Sequence, residues 1–237
     1  MLDTAGNTFL ELRVECQMLP KLDFFSESDP VVIMSLRSDE PPNLWLEFGR
    51  TEVIQDTPNP RFTKCFVLRG KETQLRFDAF DIDNESDNME EQDYIGFLET
   101  SLEDILLTKG RILTQPLINP ERDFSGEITL IAEEMADTPE KVTFRFAAES
   151  IEVNHASYFF EIYRRRKDGR SVVVYRSNPC KKSSSITWEP FTISLGMLVY
   201  GDLYQDFTVQ LFGFNKNGGN IYAVHPSEAT KTNDHVR

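Results

Sequence analysis

Five aspartates in the N-terminal half have the chemistry and the spacing to hold a hard cation. Asp23 and Asp29 bracket the run FFSES in DFFSESDP, and Asp81, Asp83 and Asp93 lie in FDAFDIDNESDNMEEQDYIG. Calcium takes about six to eight oxygen ligands, and carboxylates from two neighbouring loops can supply most of them. Crowded together without a counter-ion, carboxylates about 4 Å apart repel by about 4 kcal/mol at an effective dielectric of about 20. The set therefore predicts either a bound Ca2+ or side chains dispersed in space. Alternate residues of a strand share a face, so Asp81 and Asp83 point the same way as the chain leaves its strand, with Phe80 and Ile82 opposite. Asp93 stands where the chain re-enters a strand at Tyr94-Ile95-Gly96. The competing reading is that these acids are solvated turn formers, a common use of Asp. Phe24 and Phe25 follow Asp23 directly; at a loop tip one inserts into lipid while the other packs beneath the loop. Met89 is a weaker candidate for insertion from the second acidic segment.

The elements that must carry these residues read as strands. TFLELRVECQ and QLRFDAFDI alternate apolar and polar positions, PVVIMSL is almost continuously apolar, and GRTEVIQD leads into the turn cluster DTPNP. KCFVLRG, GRILTQPLINP and SGEITLIAEE follow the same logic. YIGFLETSLEDILL predicts a strand running into a short helix, with Ser101 as N-cap and Asp104 at N3. About eight short strands with intervening turns predict an antiparallel sandwich. A second series follows: KVTFRFAAESIEV, SYFFEIYRRR, RSVVVYRS, SITWEPFTISL and DFTVQLFGFN, with turns at KDG, SNPC and NKNGG. The two series repeat in order, which predicts two sandwiches in tandem, residues 1–136 and 137–237, divided near the acidic EEMADTPEK. After IYAVHPS only EATKTNDHVR remains, so the second sheet is expected to be incomplete at its C-terminal side.

Composition bounds the partners. Of the 237 residues, 25 are basic and 39 acidic, a net charge of −14, which argues against a nucleic-acid partner. The acidity is concentrated: Met1–Asp123 holds 12 basic and 25 acidic residues, net −13, leaving −1 for the rest. Three cysteines with no CxxC or His/Cys cluster predict reduced thiols and a cytoplasmic location. The N-terminus has neither the basic start nor the apolar run of a signal peptide, and no stretch approaches the ~20 apolar residues of a membrane span. Gly-rich phosphate loops, GxSxG and HExxH are missing, and the three histidines lack an identifiable nucleophile partner, so no enzyme is predicted.

DFFSESDP, WLEFGRTEVIQDTPNPRF, and LRFDAFDID followed by DYIG resemble the first C2 domain of the copine family. WEPFTISL, VYGD and FTVQLFGF are similar to the second copine C2 domain. Copines carry a third, von Willebrand A-type domain with no counterpart in this sequence, so its functions are not carried over. The resemblance implies all-β architecture, two antiparallel C2 sandwiches of the eight-stranded type, and docking onto anionic phospholipid membranes when calcium arrives. It places ligands at Asp23 and Asp29 in the first loop and at Asp81, Asp83 and Asp93 in the third. The stretch before Asp93 is long and acidic, and Asp87 is an alternative or additional ligand there.

In the second series Gly213 and Asn215 stand where the first has Asp81 and Asp83, with Asn154 and Asn220 near other ligand positions. A site without carboxylates holds calcium poorly, so no ion is expected in this half. Its other feature is the basic stretch YRRRKDGR, with Arg164, Arg165, Arg166, Lys167 and Arg170. Two readings stand: a contact for an anionic leaflet at about 1 kcal/mol per residue, or a hairpin balancing an acidic neighbour such as the first domain. At the level of function, a calcium-switched membrane adaptor competes with a calcium-independent scaffold for protein partners, built on the degenerate second unit and its open edge.

Overall fold

The computed structural model describes residues 9–22, 26–38, 40–69, 74–84, 86–135, 138–151, 154–215 and 222–224. The first series folds into β1 (Phe9–Gln17), β2 (Pro30–Arg37), β3 (Trp45–Arg50), β4 (Phe66–Arg69), β5 (Gln74–Asp81), β6 (Asp93–Ser101), β7 (Ile112–Pro116) and β8 (Glu127–Met135). These make two four-stranded antiparallel sheets, ordered β4-β1-β8-β7 and β3-β2-β5-β6. The alternating apolar residues of β1, Leu10, Leu12, Val14 and Cys16, meet Met34, Leu75, Phe77 and Ile95 of the opposite sheet in one core. Helix α1 (Leu102–Leu107) starts where the sequence predicts, with Ser101 and Asp104 forming a reciprocal capping box. The strand expected over GRTEVIQD lies earlier, at WLEFGR. Beyond Arg50 the regular ladder to β2 loosens: the Thr51 amide donates to Val32 O and its hydroxyl accepts from Val32 N, both at 2.9 Å, and Ile54 N donates to Pro30 O at 3.2 Å. The carboxylate of Glu52 then takes the amides of Thr63 and Lys64, which holds this segment as a loop.

The second series forms β9 (Lys141–Phe144), β10 (Ala147–Glu149), β11 (Ser157–Arg165), β12 (Ser171–Arg176), β13 (Cys180–Lys181), β14 (Ser185–Thr187), β15 (Phe191–Ser194), α2 (Leu195–Val199), β16 (Phe207–Phe214) and β17 (Tyr222–Val224). One sheet runs β12-β11-β16-β17, with β13 also on β11; the facing layer is two short ladders, β9–β15 and β10–β14. The single strand expected over KVTFRFAAESIEV is broken at Arg145-Phe146, where Phe146 O accepts the amide of Trp188 across the ladder. Phe144, Phe146, Phe160, Tyr175, Trp188 and Phe191 stack between the layers. There are two apolar clusters, and Ile131 of β8 and half-buried Ile112 of β7, from the first series, pack in the second. Residues 225–237, on which the expectation of an incomplete second sheet rests, lie outside the described residues.

The outer face of the β4-β1-β8-β7 sheet packs against the second series, so β1 and β8 are buried on both sides. Charged residues line this junction. Arg164 of β11, fully buried, donates to Glu11 Oε2 at 3.1 Å, to Glu133 Oε2 at 2.6 Å and to Met197 O at 2.7 Å. Its guanidinium lies 4.0 Å from the ring centroid of Tyr200, whose hydroxyl donates to Glu133 Oε1 at 2.5 Å. Arg13 pairs with Glu11 and donates to Val173 O at 2.6 Å. Arg166 reaches Glu133 and Asp168 at 3.4 and 3.3 Å and donates to Gly110 O at 2.9 Å. Three guanidiniums thus face three carboxylates. Burial pulls the Arg164 pKa down, but the charges of Glu11, Tyr200 and Glu133 outweigh it and leave the guanidinium more firmly protonated.

Removing one member strands the others in low dielectric. Arg164→Ala is expected to lower unfolding free energy by about 3–5 kcal/mol in urea titration, whereas Arg170→Ala should change it by less than about 0.5 kcal/mol. Burial first, then the bond to Glu133, raises the Tyr200 pKa; burial does the same first for Tyr94 and Tyr163, aided by Asp78 and Glu161. Folded-state values above the unfolded value of about 10 mean that this stabilisation is intact below pH ~10 and is lost as pH rises beyond it. An alkaline titration by tyrosinate absorbance should therefore show part of the tyrosine signal appearing only with unfolding.

Candidate metal centre

Asp81 closes β5, and its register partners are Pro30 of β2 on one side and Asp93 of β6 on the other. Asp29, which precedes Pro30, thus joins Asp81 and Asp93 at one end of three adjacent strands. Asp81 is 1% exposed. Its Oδ1 accepts the amide of Asp29 at 2.5 Å, while its buried Oδ2 has no hydrogen-bond partner among the described residues. The side chain of Asp29 accepts the amide of Asp56 at 2.7 Å, and Asp56 in turn accepts the amide of Glu27 at 2.9 Å. Asp56 does this from the left-handed region, φ 55, which Asp tolerates better than most residues. Ile82 N donates to Asp29 O at 3.1 Å. The segment around Asp29 is therefore stitched to both β5 and the loop after β3. Asp83 and Asp93 are exposed at the same end, as is Asp87. Met89 is half-buried at the start of a 3-10 turn, Met89–Glu91. Asp23, Phe24 and Phe25 lie outside the described residues.

Sequence reasoning passed over the residue that braces the acidic loop. Gln92 is buried; its Oε1 accepts the amide of Asp83 at 2.9 Å, and its Nε2 donates to Asn84 Oδ1 at 2.9 Å and Ser86 O at 3.0 Å. One amide thus ties the exit from β5 to the entry into β6. Its only sequence signal is an uncharged residue in an acidic run. Asn88 caps the turn through the amide of Glu90, and hydrogen bonds from Ser86 and Asn88 hold the Glu91 carboxyl below its ordinary pKa. Behind the site, Arg76 pairs with Asp78 at 2.8 Å and Glu99 at 2.7 Å.

The donor set suits a hard cation. A carboxylate buried with one oxygen unpartnered is costly unless a charge meets it, and Asp81 presents that oxygen beside two further acidic positions. The described residues hold no group of three or more His, Cys, Asp or Glu already clasped around a point. The further acidic oxygens at this end belong to the exposed Asp83 and Asp93.

The corresponding end of the second series is built differently. Gly213 and Asn215 occupy the places of Asp81 and Asp83, and the ring of His155 lies on Gly213: a β-carbon at position 213 would fall 2.3 Å from His155 Cδ2. The amides of Asn154 and His155 donate to the Tyr158 hydroxyl at 3.0 and 3.1 Å, and Asn215 Oδ1 accepts the amide of Ala156 at 2.9 Å. An imidazole fills the space a ligand carboxylate would need. Asn220 lies outside the described residues. The basic stretch is not a single surface: Arg164 and Arg166 are buried in the junction, and only Arg165, Lys167 and Arg170 face solvent.

Residues 10–117 match the family model described as the C2 domain. This stretch is a C2 domain. C2 domains commonly bind calcium and phospholipids. Among solved structures, the chain is similar to a C2 domain, the A domain, of a plant extended synaptotagmin 1, at 18% identity and TM-score 0.42, covering 55% of this chain and 97% of that one. It is similar to a domain named BON1-C2B, at 20% identity and TM-score 0.40, covering 54% and 93%. It is also similar to the calcium-bound pair of C2 domains, A and B, of extended synaptotagmin 2, at 16% identity and TM-score 0.40, covering 87% and 78%.

Gln92→Ala cuts three hydrogen bonds at the base of the acidic loop of the C2 domain. Amide exchange at Asp83 should accelerate by a factor of about 5 or more, with loss of about 1–3 kcal/mol of local stability. An unchanged rate in hydrogen-exchange mass spectrometry would show that Gln92 does not hold the loop.

Proposed function

We propose that this protein is a copine-like membrane adaptor that binds anionic phospholipid in a calcium-dependent manner through the loops of its C2 domain. The observation that carries this reading is the buried Asp81 carboxylate, with one oxygen unpartnered, set between Asp29 and Asp93. Asp29, Asp81, Asp83 and Asp93 would hold Ca2+, together with Asp23, and Asp87 is the alternative or additional ligand within the loop. Without a cation, this acidic end is repelled by an anionic bilayer. Bound Ca2+ supplies charge neutralisation and open coordination positions that lipid phosphate can fill. The stitching of Asp29 to Asp56 and of Asp83 to Gln92 fixes the loop bases, so little ordering is left to the binding step. One of Phe24 and Phe25 is the apolar side chain proposed to enter the bilayer, with Met89 as a weaker contributor from the second acidic segment. Among the described residues, no helix is long and apolar enough to cross a membrane. Recruitment from the cytoplasm to the plasma membrane or other anionic membranes on a calcium rise belongs to the same proposal.

A second reading, a calcium-independent scaffold for protein partners, is favoured by the exposed apolar side chains Leu44, Leu46, Phe48 and Val53 along and beside the edge strand β3. Calcium separates the two. A ligand of the native state at about 100 times its dissociation constant stabilises by about 2.7 kcal/mol. Calcium should therefore raise the Tm of the wild type and not that of Asp81→Asn, and co-sedimentation with phosphatidylserine vesicles should appear only with calcium at physiological salt. Equal pelleting with calcium and with chelator under those conditions, together with an unmoved Tm, favours the scaffold.

A further inference from the structure

The junction divides the basic stretch by alternation. Arg164 and Arg166 point inward and pin β11 and the hairpin after it to Glu11, Glu133 and Gly110 O. Arg165, Lys167 and Arg170 point outward from the same hairpin and have no ion pair among the described residues. Two neighbours extend this surface. Gln205 Nε2 donates to Arg165 O at 2.8 Å, which docks the loop after α2 beside the hairpin. That loop presents Leu203 and Tyr204, 74% and 96% exposed, at its tip. On the other side, the contact between Arg166 and Gly110 O brings in the end of α1, with Leu107 77% exposed and Lys109 exposed. The nearby acids are partly engaged: Asp168 faces Arg166, and Asp202 accepts the amide of Tyr204.

This surface lies at the far end of the molecule from the aspartates. Gln74, at the other end of β5 from Asp81, pairs with Ser101, the cap of α1. Seven steps along β5 at about 3.3 Å each set the two ends about 23 Å apart. The second series runs in the same sense. Glu11 meets Arg164, whereas Glu15, further along β1 toward the aspartates, pairs with Arg61, whose carbonyl accepts from Arg176.

We propose that Arg165, Lys167, Arg170 and Lys109, with Leu203 and Tyr204 as apolar tips, form a second contact for an anionic bilayer that needs no calcium. Unpaired cations around protruding apolar side chains match the charged headgroup layer and the acyl boundary beneath it. An acidic peptide would satisfy the cations but would leave the nearly bare Tyr204 and Leu203 without an apolar counterpart. If the aspartate end binds lipid as proposed above, one chain bridges two membranes, and only the bridging rests on that reading.

The experiment uses the full chain. In chelator and low salt, where surface charge is least screened, wild-type protein should co-sediment with phosphatidylserine vesicles and not with phosphatidylcholine vesicles. The exposed-charge variant Arg165→Glu/Lys167→Glu/Arg170→Glu should lose binding by on the order of tenfold or more. Leu203→Ser/Tyr204→Ser should weaken it with the charge unchanged. With calcium present, wild type should cluster vesicles by light scattering, and the charge variant should bind them without clustering. Asp81→Asn should abolish the calcium response and leave the chelator result untouched, which separates failure at one end from failure at the other. No wild-type pelleting in chelator, full retention by the charge variant, or equal pelleting with neutral vesicles overturns the proposal.

Discussion

The architecture depends on a buried ionic junction. Glu11 of β1, Glu133 of β8 and Arg164 of β11 meet where the outer face of one sheet is covered by the next unit. Charges removed from water gain little net stability unless every partner is placed, yet breaking such a set leaves an uncompensated ion. The junction is therefore strict about geometry. It accepts one register of β11 against β1, reinforced by Arg13 on Val173 O and Arg166 on Gly110 O. The strictness fixes the direction of both units and keeps two of the five basic residues of the stretch, Arg164 and Arg166, away from solvent.

The aspartate end rests on the same economy of polar groups. Each loop base is held by a side chain that accepts or donates to backbone: Asp29 and Asp56 for the segment before β2, Gln92 for the exit from β5, Thr51 and Glu52 for the loop after β3. Asp81 lies beneath them, where desolvation is greatest. The loop bases are tied down while Asp83 and Asp93 remain exposed above.

Much of this was legible in the chain. Alternation and apolar runs located most of the strands, though not β3, β13 or β17, and they merged β9 with β10 and β14 with β15; Ser101 with Asp104 marked the start of α1. Glu11 and Arg13 were not legible as buried residues: alternation puts them on a polar face, and only a covering layer, which no local pattern encodes, turns that face inward. The same layer explains why the closely spaced basic residues of YRRRKDGR do not make one patch. GRTEVIQD reads as a strand from a loose alternation that runs into a turn cluster, but past Arg50 the Thr51 hydroxyl takes the place of a backbone carbonyl opposite Val32 N and the regular pairing stops. Gln92 was invisible because its role is set by three partners that converge only in the folded loop. The grouping of Asp29, Asp81 and Asp93 could be anticipated from strand order alone, whereas the missing partner of Asp81 Oδ2 required coordinates.

The contact of His155 with Gly213 bears on how the two halves can diverge. An aspartate introduced at 213 alone collides with the imidazole, and loss of the imidazole alone opens a void without adding a ligand. Restoring an ion site in this half needs at least both changes together, because the first alone leaves a clash and the second alone a void. The pair therefore works as a steric lock: neither substitution by itself makes one tip chemically like the other.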